Sequence, residues 1–276
     1  MPGFFRNIYY ALSPALRFAL RRMYYLPHDM IHLAEYRRKG IPPKGMIYTG
    51  SGDYVQVGQR FLRYFRELGG LQPDHHVLDV GSGIGRMAYA LSGYLTRQAK
   101  YEGFDIVKQG VQWCQKHISQ THPHFHFTHI PLQNDLYTSE GGDPVVTAFP
   151  YPSNTFDTTL VISVFTHMVR GEVEHYLREI HRTLNHGGVL FATFFILNPE
   201  SREAMKEGPF KFEVPAEGCY LMDSKIQSAN VAYDQYDLNL LLSQTGFLVK
   251  GFYPGSWSGR KEDVLDFQDI LVLVKT

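Results

Sequence analysis

Residues 76–91, HVLDVGSGIGRMAYAL, constrain this chain more than any other stretch. Apolar residues lead to Asp79, then Gly81, Gly83 and Gly85 fall at every second position, and a run of small and apolar residues follows. That pattern reads strand, tight turn, helix, and predicts an α/β fold. Glycine lets the backbone take positive φ and approach a ligand closely, and the start of the next helix carries N–H groups without intrahelical partners. The loop therefore reads as a nucleotide cradle. A carboxylate at the strand's end makes a like-charge contact with phosphate, so the better guest carries an amino group.

Spacing sharpens this reading. A dinucleotide fingerprint places glycine at the sixth position of G-x-G-x-x-G, and counting from Gly81 that position is Arg86. An NAD-linked dehydrogenase is thereby disfavoured. The G-x-G-x-G pattern behind an acid, VLDVGSGIGR, resembles the first motif of class I S-adenosylmethionine (SAM)-dependent methyltransferases. The resemblance implies that Asp79, Gly81, Ser82, Gly83, Gly85 and Arg86 hold the methionine part of SAM.

Further along, residues 101–106 form a short strand ending in Asp105, twenty residues past Gly85. An acid at the tip of the second strand accepts hydrogen bonds from both ribose hydroxyls, so Asp105 and Ile106 join the cofactor set; Asp105 equally suits the N-cap of a helix over 108–119. The resemblance puts the adenine amino group on Asn134 or Asp135, in the Gln133-Asn134-Asp135 run. The stretch AFPYPSNTFDTTLVISVFTHM resembles the family's apolar-Pro-aromatic turn and fourth strand, here 158–163, which brings Ser163 to the cofactor. EIHRTLNHGGVLFATFF resembles the next helix (172–184), Gly-Gly turn and fifth strand (189–195). Together these cover about 77–195 and imply a doubly wound, Rossmann-like sheet of seven strands.

His167 falls just past the fourth strand, where open α/β sheets place their ligands, and a neutral imidazole there is a candidate base. The alternative is that it caps or packs locally. The strand end Ser163-Val164-Phe165 lacks the Asn-Pro-Pro-Tyr type sequence of DNA amino-methylating enzymes, the Pro-Cys nucleophile of cytosine C5 enzymes and the acid-rich end of magnesium-dependent catechol methylators. Neither a metal nor a nucleic-acid partner is expected. His122, His124 and His126 alternate as on one face of a strand, with no Cys or carboxylate nearby in sequence to complete a metal site. Cys114 and Cys219 build no disulfide framework, which suits a reducing cytosol. The resemblance implies methyl transfer to a small molecule, foremost an oxygen of a secondary metabolite or sugar. A lipid or membrane-associated acceptor, and a SAM-binding module without turnover, are the competing readings.

The chain's formal charge is zero, yet residues 1–45 carry +6 and the remainder −6. Phe5, Ile8, Tyr9, Leu12, Leu16, Leu20 and Met23 recur at helical spacing, and Ser13-Pro14 reads as an N-cap with the favoured first residue. Two short helices meeting near Ser13 are expected, their apolar stripe packed on the enzyme domain as a lid and their arginines outside. The competing arrangement lays residues 1–26 on an anionic membrane surface. No window approaches the roughly 18 uninterrupted apolar residues of a span, so a cytoplasmic or membrane-peripheral protein is expected. Residues 40–58 read as a covering loop that offers Tyr48 and Tyr54 to a substrate, before a helix over 59–68. The chain thus divides into 1–58, N-terminal helices and lid loop, and 59–276, the SAM-binding domain, with a cap insertion over 198–232. A helix over 237–245 and an antiparallel pair, 247–253 and 270–275, complete it. Between that pair, Trp257 and Arg260 line an acceptor, or Trp257 is pinned on the surface.

Overall fold

The computed structural model of the protein describes residues 12–50, 52–134, 141–224 and 226–276. Phe5, Ile8 and Tyr9 of the first expected helix, and Asp135 of the adenine pair, lie outside the described residues.

The glycine stretch sits where a sheet changes direction. β1 (Val77–Val80), β2 (Tyr101–Asp105) and β3 (Phe125–His129) run parallel on one side, β4 (Phe156–Val161) and β5 (Leu184–Phe194) on the other. β10 (Phe247–Tyr253) and β11 (Asp269–Lys275) finish the sheet, with β11 antiparallel to both of its neighbours. The order β10-β11-β5-β4-β1-β2-β3 puts β1 at the switch point, the place where open parallel sheets bind ligands. All four β1 residues are buried, as expected for a strand covered on both faces. Val77 belongs to the apolar cluster that includes Phe61, Phe65, Leu91 and Val111, while Leu78 and Val80 belong to the one that includes Val173, Leu177, Ile180 and Leu241. The alternating pleat thereby sends successive residues into two separate cores.

α1 (Pro14–Lys39) is one continuous helix through Pro27, capped by the Ser13 hydroxyl on the Leu16 N–H and by left-handed Gly40. Its orientation is the reverse of the expected lid. Leu16, Leu20, Met23 and Met30 are exposed, whereas Arg17 is buried. The reason lies in the following loop, whose Lys44 and Gly45 amides both donate to the Asp29 carboxylate at 2.9 Å. Gly45 has no room for a side chain, since a Cβ would meet Asp29, the Arg22 backbone and Tyr25 within 3.3 Å. Those backbone contacts turn the aromatic and polar face of α1 inward.

α2 (Tyr54–Glu67) begins earlier than expected, capped by Asp53 on Val55 and Gln56. Gly58 does not break it. A Cβ there would come within 2.8 Å of the Arg86 carbonyl, so this glycine lets α2 lie against α3 (Arg86–Ser92). α4 (Lys108–Cys114) continues as a π-turn, Gln115–Ser119. Only His126 of the alternating histidines lies within β3, because the strand opens at Phe125; His122 and His124 belong to the turn before it. β4 gives way before Ser163, which holds φ +57. α5 (Arg170–Thr183) leads into β5. Then β6 (Ile196–Leu197), α6 (Pro199–Met205), β7 (Val214–Ala216), β8 (Cys219–Leu221) and β9 (Val231–Asp234) build a four-stranded sheet, β6-β9-β8-β7, before α7 (Gln235–Gln244). Among the described residues no helix is long and apolar enough to cross a membrane.

Candidate functional site

A cavity of about 360 Å³ lies over the carboxyl ends of β1, β2 and β4. Asp79, Gly81, Ser82, Gly83 and Arg86 form one wall, with Asp105 and Ile106 beside them. The loop's amides are already committed: Gly81 and Ser82 donate to the Phe104 carbonyl at 2.9 Å, Gly83 to Asp105 Oδ2 at 2.8 Å and Gly85 to the Ser82 carbonyl at 2.9 Å. A pyrophosphate needs such N–H groups free. These four are not, and what the wall adds is two carboxylates.

Both carboxylates are pushed toward neutrality by burial. Desolvation raises Asp79 to about 7, against a hydrogen bond from the Tyr101 hydroxyl and with some help from Asp105. Desolvation raises Asp105 to about 6, although the Val107 and Gly83 amides donate to it. A cation bound here would return both to their charged forms. The Ser82 hydroxyl is buried with no hydrogen-bond partner. Arg86 donates from Nη2 to the Thr49 carbonyl at 2.6 Å, its Nε is unpaired, and burial lowers its pKa. Thr49 lies over the glycine loop so closely that a Cβ on Gly83 would come 2.8 Å from its methyl.

At the other end, the turn Phe165–His167 follows β4 and points His167 into the cavity wall. Its Nδ1 is 2.8 Å from the Ser228 carbonyl. A carbonyl only accepts, so Nδ1 carries the proton and Nε2 keeps its lone pair. Burial holds the imidazole below its ordinary pKa. Ser163 keeps its left-handed backbone through two bonds: its amide donates to Thr193 Oγ1 at 2.8 Å and its hydroxyl to Gln268 Oε1 at 2.9 Å.

Tyr48 and Asn134 also line the cavity, but four sequence candidates do not. Gly85 (φ +79) faces α4, where a Cβ would meet Cys114 Sγ at 2.7 Å and Ile118 at 2.8 Å. Tyr54 lies behind the loop and donates to the Ile84 carbonyl at 3.0 Å. Trp257 is neither on the cavity nor on the surface; it is fully buried against Phe195 and Phe212, and donates to Asp269 Oδ2 at 2.7 Å. Arg260 binds Asn198 Oδ1 at 2.9 Å and faces Glu200. Buried Asp269 explains the local arrangement: it gathers the Ile196 and Gly255 amides and the Trp257 indole as donors. Residues without a motif complete the cavity instead: Arg60 from α2, Glu172 and Tyr176 from α5, and Asp266, Phe267 and Gln268 before β11. Arg60 and Asp266 pair at 2.8 Å. Among the described residues no group of three or more His, Cys, Asp or Glu could hold a metal ion.

Residues 77–188 match the family model described as "Methyltransferase domain". Among solved structures, the chain is similar to the PH0226 protein of Pyrococcus horikoshii OT3 at 16% identity and TM-score 0.57, covering 88% of this chain and 99% of that one. It is similar to magnesium protoporphyrin IX methyltransferase of Synechocystis PCC 6803, a structure with bound SAH, at 16% identity and TM-score 0.51, over 94% and 99%. The [4+2]-cyclase SpnF also matches, at 16% identity and TM-score 0.52, over 82% and 84%. At such identities these three likenesses speak for the fold alone.

Proposed function

The chain carries a class I S-adenosylmethionine-dependent methyltransferase domain, and from that premise we propose that it methylates an oxygen of a small hydroxylated molecule, such as a secondary metabolite or sugar, without a metal ion. The cavity fits the cofactor's chemistry: buried Asp79 suits a positively charged amino group, Asp105 suits a pair of hydroxyls, and the Ser82 hydroxyl lacks a partner. In this reading Asp79, with Gly81, Ser82, Gly83 and Arg86, holds the methionine portion. Asp105 and Ile106 take the ribose. Each Asp105 oxygen already accepts one amide and retains a lone pair for a hydroxyl. Asn134 meets the adenine. SAM supplies a methyl group on a sulfonium, ready for in-line displacement.

The protein's own part is to align the acceptor, exclude water and take up the acceptor's proton. The observation that carries the reading is the tautomer of His167, fixed by the Ser228 carbonyl so that a neutral nitrogen is left to receive that proton. Burial keeps this imidazole unprotonated near pH 7, as a base requires. Gln268, held by Ser163, and the Arg60–Asp266 pair supply polar groups for hydroxyls, with Phe267 as an apolar wall. Trp257 and Arg260 have no part in this acceptor site, since neither lines the cavity.

The test is methyl transfer from radiolabelled SAM to a panel of hydroxylated and amine acceptors, after mass-spectrometric identification of any nucleoside that co-purifies. Incorporation into a hydroxylated compound supports the proposal. Transfer only to amines overturns the oxygen assignment. SAM binding without transfer to any acceptor or cell extract favours a non-catalytic module.

A further inference from the structure

The outward face of α1 is apolar where a helix packed only on its own domain would be polar. Leu16, Leu20, Met23, Pro27, Met30 and Ala34 follow one another at steps of four and three residues, so they form a single stripe along about 27 Å of helix. Met23, Met30 and Ile31 are 69%, 70% and 79% exposed, and Tyr24 flanks them at 78%. The opposite face is taken: Phe18 meets the Tyr48 ring at 5.4 Å, Lys44 lies over Tyr25, and Asp29 accepts two amides. Among the described residues none covers the stripe, and contiguous exposed apolar surface of this kind marks an interaction site.

The charge around the stripe identifies the partner. Arg22 lies exposed near its middle, and Arg37, Arg38 and Lys39 lie exposed at its end. The helix has only two carboxylates, and both are engaged: Asp29 with the Lys44 and Gly45 amides, Glu35 with Lys39 and His32. Residues 1–45 carry +6. A second copy seated on the stripe would set this positive segment against an identical one. An anionic lipid surface satisfies both features, since an apolar helix face enters the boundary of headgroups and acyl chains while flanking arginines stay with the phosphates.

We propose that α1 is an interfacial helix that docks this protein on anionic membranes. The same helix is fastened to the rim of the cavity, through Asp29 to the 44–45 backbone, through Phe18 to Tyr48, and through the Lys39 carbonyl, which accepts from Tyr89. Tyr48, Thr49 and Gly50 form part of the cavity wall. Docking therefore places that rim at the lipid boundary. This goes beyond the acceptor assignment and does not rest on it.

The test is flotation of the full chain with vesicles of phosphatidylcholine alone and with about one third phosphatidylglycerol. Wild type should bind the anionic vesicles at least about tenfold more tightly than the neutral ones, and added salt should weaken the binding. The triple variant Met23→Asp, Met30→Asp, Ile31→Asp should lose at least about tenfold while its SAH-induced thermal shift and circular dichroism stay unchanged, because all three residues are exposed. Four results overturn the proposal: no flotation of wild type, equal binding to neutral vesicles, unchanged binding by the variant, or a wild-type dimer that the variant converts to a monomer. Vesicle binding that appears only after residues 1–11 are removed also overturns it, and makes that segment the stripe's occupant. The SAH readout is independent of the vesicles, so failure here is distinct from failure of the cofactor assignment.

Discussion

Burial shifts His167 and Asp79 in opposite directions, the imidazole pKa down and the carboxyl pKa up, and both groups are central to the proposed reaction. For the imidazole, desolvation lowers the pKa against the opposing pull of the Ser228 and Ala229 carbonyls, while the Ser228 contact sets the tautomer. His167→Ala should lower kcat by about 10²- to 10⁴-fold, with SAM binding in calorimetry unchanged; equal loss of binding would make it a packing residue. For Asp79, the same desolvation stores a proton up to a pKa of about 7. Binding a ligand with a positive charge should therefore release a proton near or below pH 7, seen as a dependence of binding heat on the buffer's ionisation enthalpy. Asp79→Asn should abolish that dependence and weaken SAM binding. Asp79 and Asp105 were legible in the chain because each ends a strand, and so was the loop between them. Gln268 and Asp266 were not, since nothing near them in sequence indicates the cavity that tertiary folding brings to them.

Elements disagree with the sequence reading where a close backbone approach overrides local pattern. Gly85 belongs to the glycine motif, but its missing side chain serves the contact between α3 and α4. Gly85→Ala should cost about 2–4 kcal/mol in urea unfolding, from a strained left-handed residue and a crowded Cys114. Because Gly85 stays off the cavity, SAM affinity of the folded fraction should hold. The 254–268 connection teaches the same lesson. Its tryptophan reads in sequence as lining an acceptor or as pinned on the surface, yet it serves as a donor to a buried carboxylate in the fold. Trp257→Phe should lose about 2–3 kcal/mol with KM for the acceptor unchanged, whereas a role in lining the acceptor would raise KM and leave stability alone. α1 is the largest reversal: its apolar periodicity was visible, but which way the stripe faced depended on Asp29 capturing amides fifteen and sixteen residues away.

Among the described residues three aspartates are buried, Asp79, Asp105 and Asp269, and burial raises them from 3.8 to about 7, 6 and 6. An acid whose folded pKa exceeds its unfolded one favours the fold fully below the unfolded value, and that contribution is lost as pH rises through the folded value. For Asp79 the loss extends to about pH 7, so the ligand-free protein should become less stable between pH 6 and 8 by about 1–2 kcal/mol through this residue alone. Melting curves should show the slope in wild type, a shallower one in Asp79→Asn, and a shallower one in wild type saturated with SAM. The chain by itself determined the sheet's switch point, the loop and the acids at two strand ends, because strand and turn chemistry are set by residues within a few positions of one another. The tertiary structure alone decided the tautomer of His167, the part of the cavity wall that comes from α2, α5 and the segment before β11, and the outward turn of the α1 stripe. Each of these depends on a contact between distant segments, and such contacts follow from which surfaces meet after the sheet has formed.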